Sequence, residues 1–103
     1  MKRTLILTTI LLIALAPVAL AEDAAALFKG KCQACHGVNG AADSPMAKKL
    51  AVKPLGSADV QKQTDAQLTN VIAKGKAKMP AFEAKLSADQ TKAVVALIRT
   101  WKK

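Results

Sequence analysis

This sequence is poor in aromatic residues and in the cysteine and histidine that usually build a metal site. Among 103 residues there are two cysteines, one histidine, two phenylalanines, one tryptophan and no tyrosine. Two cysteines and one histidine cannot complete a four-ligand zinc site unless a carboxylate joins them. Because a domain this small buries a modest fraction of its surface, it usually needs a staple, a metal or a cofactor. The shortage of apolar bulk indicates that a bound group contributes to the core.

Strand patterns are also missing from the sequence. No stretch alternates apolar and polar residues between turn signals, and neither internal repeats nor low-complexity tracts occur. Helix-start signals are frequent, and two of them, at Thr64 and Ser87, are followed three residues later by glutamine, as in a capping box. The sequence therefore predicts a small all-α domain of four or five helices. The predicted helices run from Asp23 through the cysteine segment, from Ser44 to Leu50, from Ser57 to Val60, from Thr64 to Gly75 and from Ser87 to Trp101.

The first 21 residues have the pattern of a secretory signal peptide. Lys2 and Arg3 precede an apolar run, and Ala19 and Ala21 supply the small residues of a cleavage site. The run falls short of the roughly 20 apolar residues that span a bilayer. We therefore predict a signal peptide over 1–21 and a domain over 22–103, located in the periplasm without stable membrane insertion, or in a thylakoid lumen if the source is photosynthetic. A retained N-terminal anchor is the alternative.

The segment 32–36, Cys-Gln-Ala-Cys-His, carries the most specific signal in the chain. Cys-x-x-Cys-His is the attachment sequence of a c-type haem, in which both thiols add to the vinyl groups of one porphyrin. A thioredoxin-type redox pair would need a βαβ context, which the sequence does not show. A plain disulfide between Cys32 and Cys35 would explain neither His36 nor the small core. We therefore predict one covalent haem c, with His36 as an axial iron ligand.

The second axial ligand cannot be another histidine of this chain. It must be methionine, another donor such as lysine, water, or nothing. Met46 lies only ten residues after His36, on a predicted short helix. Met79 is the better candidate, because Pro80 biases it toward extended backbone in a loop, and Met/His is a known axial pair. The predicted cofactor-binding residues are Cys32, Cys35, His36 and Met79, and the predicted metal ligands are His36 and Met79.

These residues resemble the class I monohaem cytochromes c, especially the short bacterial forms, over the whole of 22–103. The resemblance implies that the N- and C-terminal helices cross, with Ala24 and Phe28 on one side and Val94 and Leu97 on the other. It also implies that the carbonyl of Pro45 accepts a hydrogen bond from the His36 ring. The chain departs from the family in having no tryptophan or tyrosine in mid-chain, where relatives often bind a haem propionate.

The function expected from these features is one-electron transfer rather than catalysis, because two protein ligands leave the iron no open position. Lysine and arginine number 16 against seven acidic residues, so we expect redox partners with acidic surfaces. Export makes nucleic acid an unexpected partner, and a monomer is the expected state. The alternative is a haem c subunit or a membrane-tethered electron-entry domain of a larger oxidoreductase.

Overall fold

The computed structural model describes residues 18–103, with side chains from residue 24 onward, and within that span the chain is helical. Six α-helices form: α1 (Val18–Lys31), α2 (Gln33–His36), α3 (Pro45–Lys49), α4 (Ala58–Gln61), α5 (Asp65–Lys74) and α6 (Ala88–Arg99), with a 3-10 turn at Val38–Gly40 after α2. The all-α prediction is confirmed. The described helices outnumber the four or five expected, because the first predicted helix divides between α1 and α2.

Three predicted helix starts, at Ser44, Thr64 and Ser87, are capped by the predicted side chains, whereas Ser57 makes no side-chain cap bond at the start of α4. Thr64 and Ser87 each accept a hydrogen bond from the backbone N–H of the glutamine three residues later, at 3.1 Å, and each glutamine side chain accepts one from the cap N–H at 2.8 Å. Ser44 accepts from the N–H of Ala47 at 3.1 Å. These bonds satisfy backbone donors that a helix N-terminus leaves unpaired.

The predicted start of α1 is wrong. In the described chain α1 covers Val18–Lys31, so Asp23 lies inside it rather than at its N-cap. The predicted cleavage point after Ala21 would also fall within α1. Residues 1–17 lie outside the described part of the chain, and the boundary between signal peptide and domain stays a prediction. No helix in the described part is long and apolar enough to cross a membrane.

Helix α6 packs against both α1 and α5 and forms the centre of the apolar core. Ala24 and Phe28 of α1 are buried, as is Val94 of α6, while Leu97 is partly buried beside the same core. Phe28 also meets Trp101 edge to face, with ring centroids 4.7 Å apart, a favourable geometry for two aromatic rings. The predicted crossing of the N- and C-terminal helices is therefore present.

Arg99 joins the segment before α5 to the end of α6. Its guanidinium donates to the backbone carbonyls of Gln61 and Gln63 and to the carboxylate of Asp65, the last at 2.9 Å. The Gln61 side chain in turn donates to the carbonyls of Leu55 and Ile98 at 2.8 and 3.0 Å. The bonds of the Arg99 guanidinium are charge-assisted and are therefore stronger than bonds between neutral groups. They hold the segment 55–65 in a fixed position on α6.

Candidate cofactor site

The predicted site residues meet in one cleft. An outer part of about 540 Å³ is lined by Cys32, Cys35, His36 and Met79. An inner part of about 190 Å³ extends toward Phe28 and the α5–α6 core and shares Cys32, His36 and Met79 with the outer part. Four residues that are up to 47 positions apart in the sequence therefore face one space.

A tight turn at the end of α1 presents both cysteines and the histidine. The N–H of Cys32 donates to the Phe28 carbonyl at 2.8 Å, and the N–H of His36 donates to the Cys32 carbonyl at 2.9 Å. Gly37 ends α2 with a φ of +79°, where a Cβ would lie 2.6 Å from the Asp43 carboxylate. Glycine is needed there because the left-handed region and the close approach both disfavour a side chain.

The imidazole of His36 lines the cleft in the uncharged form that can bind a metal. Burial lowers the pKa of His36, so the ring is uncharged at neutral pH, and a neutral imidazole is the form that binds a metal. Its Nδ1 atom is buried without a hydrogen-bond partner. The Phe28 ring lies beside it, with centroids 6.4 Å apart.

The hydrogen bond expected from the His36 ring N–H to the carbonyl of Pro45 is absent in this structure. The neighbouring Ser44 hydroxyl donates to the carbonyl of Ala34 at 3.2 Å, which connects the start of α3 to the turn that contains Cys32, Cys35 and His36. The segment that the resemblance places near His36 is the correct one. The Nδ1 atom of the His36 ring, however, has no hydrogen-bond partner.

Cys32 and Cys35 form no disulfide with each other, and both are half-buried. Burial raises the pKa of the Cys32 thiol, and nearby Cys35 adds to this effect, while the positive charge of Lys31 partly offsets it. Cys32 is therefore a protonated thiol at neutral pH. Within the described residues, no group of three or more His, Cys, Asp or Glu side chains could hold a metal ion.

Met79 is presented by a short turn anchored on α5. Gly75 ends α5 with a φ of +76°, and the backbones of Lys76 and Met79 exchange hydrogen bonds of 3.1 and 2.9 Å. A Cβ on Gly75 would approach the Met79 carbonyl to 2.6 Å, so glycine permits the close return of the chain. The N–H of Phe82 then donates to the Ile72 carbonyl at 3.0 Å, which fixes the far end of the turn.

The other candidate methionine has a different environment. Met46 lies on α3 with 45% of its surface exposed and is absent from the lining of the cleft, whereas Met79 is half-buried and lines both parts of it. Of these two thioethers, the one at position 79 shares the cleft with His36.

Several lining residues were not predicted from the sequence. The cleft walls include apolar side chains from the segment after α3 and from α5, and two polar ones from loops, Lys53 and Gln63. No periodic pattern marks these loop residues in the sequence. Their placement depends on the Arg99 bonds and on the course of the loops, which only the folded chain shows.

The comparisons with known proteins agree with this geometry. A model of the family described as cytochrome c oxidase, cbb3-type, subunit III matches residues 19–98. The chain belongs to this family of c-type cytochromes. Among solved structures, the KustC0563 c-type cytochrome is 30% identical, over 79% of this chain and 99% of its own, with a TM-score of 0.72. A mutant of that protein gives 29% identity, 78% and 99% coverage and a TM-score of 0.68. No curated protein matches.

The residues of this c-type cytochrome fit a haem. The cleft offers two thiols in the attachment motif, an imidazole with an uncharged ring, and a thioether, which are the groups that bind haem c in proteins. The remaining walls are mostly aliphatic, as a porphyrin face requires. The fold prediction of a small class I-like cytochrome is therefore confirmed, while the individual ligand assignments remain predictions.

Proposed function

We propose that this c-type cytochrome is a one-electron carrier of the periplasm, with one haem c attached through Cys32 and Cys35 and axial ligation by His36 and Met79. The supporting observation is that these four side chains line a single cleft. Haem bound in this way supplies an iron that alternates between two oxidation states, at a potential that methionine ligation raises.

The chain's own residues account for transfer without catalysis. His36 would hold the iron from the α2 side and Met79 from the turn after α5, so no coordination position is left for a substrate. Leu50, Val52 and Val71 give the same space aliphatic walls. We therefore expect no enzymatic activity.

The rim of the cleft is positively charged. Lys31, Lys53, Lys76 and Lys78 line its outer part, and no aspartate or glutamate is among the described lining residues. Lys74, one of the lysines that flank Met79 in the sequence, pairs with Glu83 at 2.7 Å. Lys53 pairs with Asp59 at 2.7 Å. The charges of Lys31, Lys76 and Lys78 support docking of an acidic redox partner, because opposite charges accelerate encounter between proteins.

The proposal is tested on protein purified from the periplasm of an expressing cell. Haem should remain on the chain after denaturation, because thioether bonds are covalent, and the folded protein should cycle between reduced and oxidised spectra without turnover of a substrate. Haem that is released on unfolding would contradict attachment through Cys32 and Cys35.

Docking is tested separately through the salt dependence of electron transfer. With an acidic partner, the bimolecular rate should fall as ionic strength rises. At about 0.1 M, salt largely screens the interaction of exposed charges that are more than about 10 Å apart. Rates that are equal at low and high salt would contradict the role of the lysines.

A second candidate is a haem c subunit of a larger oxidoreductase, tethered by an uncleaved N-terminus. The description of the matched family, a subunit of a cbb3-type oxidase, favours it. Mass spectrometry of the exported protein separates the two functions. A mass that corresponds to a chain beginning at Glu22 supports the free carrier, and a mass that includes residues 1–21 supports the tethered subunit.

A further inference from the structure

One wall of the cleft is assigned to neither the iron ligands nor the thioethers. His36 and Met79 would lie on the two faces of the macrocycle, and the cysteines lie along one edge of it. Lys53 and Gln63, from the segment between α3 and α5, line the inner part of the cleft, and Lys53 also lines the outer part. In a protoporphyrin-derived haem, the two propionates lie on the edge opposite the vinyl groups. With thioethers at Cys32 and Cys35, these carboxylates would lie away from the cysteines, and Gln63 lines the part of the cleft that Cys35 does not.

A carboxylate that enters this part of the cleft needs a cation or a hydrogen-bond donor. Leaving a charged group unpaired in a partly apolar environment is costly. The sequence contains no mid-chain tryptophan or tyrosine to fill this role, and the inner part of the cleft contains no arginine. Apart from His36 and from Lys76 on the Met79 turn, Lys53 and Gln63 are the charged or amide side chains among its described lining residues.

Positive charges outnumber negative charges around Lys53. Its Nζ atom donates to Asp59 at 2.7 Å, and Lys62 lies 3.6 Å from the other oxygen of the same carboxylate. The hydrogen bond and charge of Lys53 lower the pKa of Asp59, with Lys62 adding to the effect, so this carboxylate is ionised at neutral pH. Two ammonium groups thus share one carboxylate. Because a lysine ammonium has three N–H donors, Lys53 can bind a second carboxylate while it keeps Asp59.

Gln63 is similarly available. Its side-chain amide donates to the Asp59 carbonyl at 3.4 Å, which is at the long limit of a hydrogen bond. Its backbone is held firmly, because the Gln63 carbonyl accepts a bond from Arg99 of α6. A fixed backbone with a weakly bound side chain suits a residue that turns toward a ligand.

Resting on the proposed haem attachment, we propose that Lys53 and Gln63 bind a haem propionate, with Asp59 as the positioning residue for Lys53. This c-type cytochrome would thereby replace the aromatic propionate partners of its relatives with an ammonium and an amide from the loop before α5. The ammonium would also balance the charge of the carboxylate beside the iron.

The test compares two variants that each remove one positive charge from the lining of the cleft. Lys53→Gln changes the proposed propionate site, and Lys31→Gln changes a lysine next to Cys32 that lines only the outer part of the cleft. The resonance Raman band of propionate bending, which responds to hydrogen bonding, is measured together with the reduction potential. Lys53→Gln should shift the band, and Lys31→Gln should leave it unchanged.

The potential should fall in Lys53→Gln, because an uncompensated carboxylate stabilises the ferric state. We expect the equilibrium constant for reduction to decrease by up to about tenfold, which corresponds to about 59 mV for one electron. A smaller decrease is expected in Lys31→Gln. Gln63→Ala, which removes a neutral donor, should shift the Raman band with a weaker effect on the potential.

The outcomes separate this proposal from the proposed function. Wild-type protein with covalent haem, combined with an unchanged Raman band in Lys53→Gln, would overturn the propionate assignment alone. An equal band shift in Lys31→Gln would do the same. Absence of covalent haem from folded wild-type protein would overturn the proposed function and this inference together.

Discussion

The capped helices and the loops of the cleft are stabilised in different ways. Helices α5 and α6 begin with complete capping boxes, and their apolar faces form the core together with Phe28. The loops contain three alanines with left-handed backbone, Ala42, Ala51 and Ala77, at φ of 57°, 55° and 53°. Such residues cost about 1–2 kcal/mol each relative to ordinary backbone. Local sequence therefore specifies the helices, while tertiary contacts and the proposed haem must hold the loops.

The largest effect on the loops of the cleft is expected when the cofactor attachment is removed. In the double variant Cys32→Ala/Cys35→Ala, we expect loss of covalent haem and of cooperative thermal unfolding, because a group that binds only the folded chain contributes its binding energy to stability. Circular dichroism during heating measures the transition. Ala34→Ser, at the exposed position between the cysteines, should unfold like the wild type. A cooperatively folded, haem-free double variant would show that the loops need no cofactor.

The helical core is tested at a residue outside the cleft lining. Val95 of α6 is 2% exposed, and Val95→Ala should lower the free energy of unfolding by about 2–3 kcal/mol, from lost burial and the resulting cavity. The visible spectrum should stay unchanged. Lys92→Ala, exposed on the same helix, serves as the control and should change stability by less than about 0.5 kcal/mol. A perturbed haem spectrum in Val95→Ala would mean that core and cleft are not separable.

A smaller effect is expected at the start of α5. Thr64→Ala removes the side-chain acceptor of the capping box and should cost about 0.5–2 kcal/mol, measured by denaturant unfolding. Asn70→Ala, exposed in the middle of the same helix, should be neutral or slightly stabilising, since alanine is the better helix former. If both substitutions have the same effect, the cap does not stabilise α5.

The smallest expected effect is the difference in stability between an alanine-to-glycine change in a cleft loop and the same change in a helix. Ala96→Gly, at an exposed position within α6, should cost about 1 kcal/mol. Ala77→Gly, in the Met79 turn, relieves left-handed strain and should leave the protein more stable than Ala96→Gly by about 1 kcal/mol. Equal losses in the two variants would contradict the assignment of strain to the cleft loops.

The sequence was informative where short-range chemistry decides the structure. The capping boxes at Thr64 and Ser87 formed as predicted, and the stop of α5 at Gly75 coincides with positive φ. The attachment motif predicted a haem because its spacing is specific. The placement of Cys32, His36 and Met79 in one cleft also agrees with the sequence prediction, although ligation itself stays a prediction.

Long-range packing was less predictable. Asp23 has the chemistry of an N-cap, but apolar and alanine-rich residues before it continue the helix to Val18. The expected bond from the His36 ring to the Pro45 carbonyl is absent, and the buried His36 Nδ1 atom has no partner. Lys53 and Gln63 gave no signal, because the Arg99 bonds that place their segment join residues more than 30 positions apart.

The central claim, that the iron is held by His36 and Met79, is tested most directly by the visible spectrum of the ferric protein. Methionine–iron ligation gives a weak far-red band, which we predict in the wild type and in Met46→Ala and expect to be absent in Met79→Ala. Survival of the band in Met79→Ala, or its absence from folded wild-type protein with covalent haem, would contradict the account.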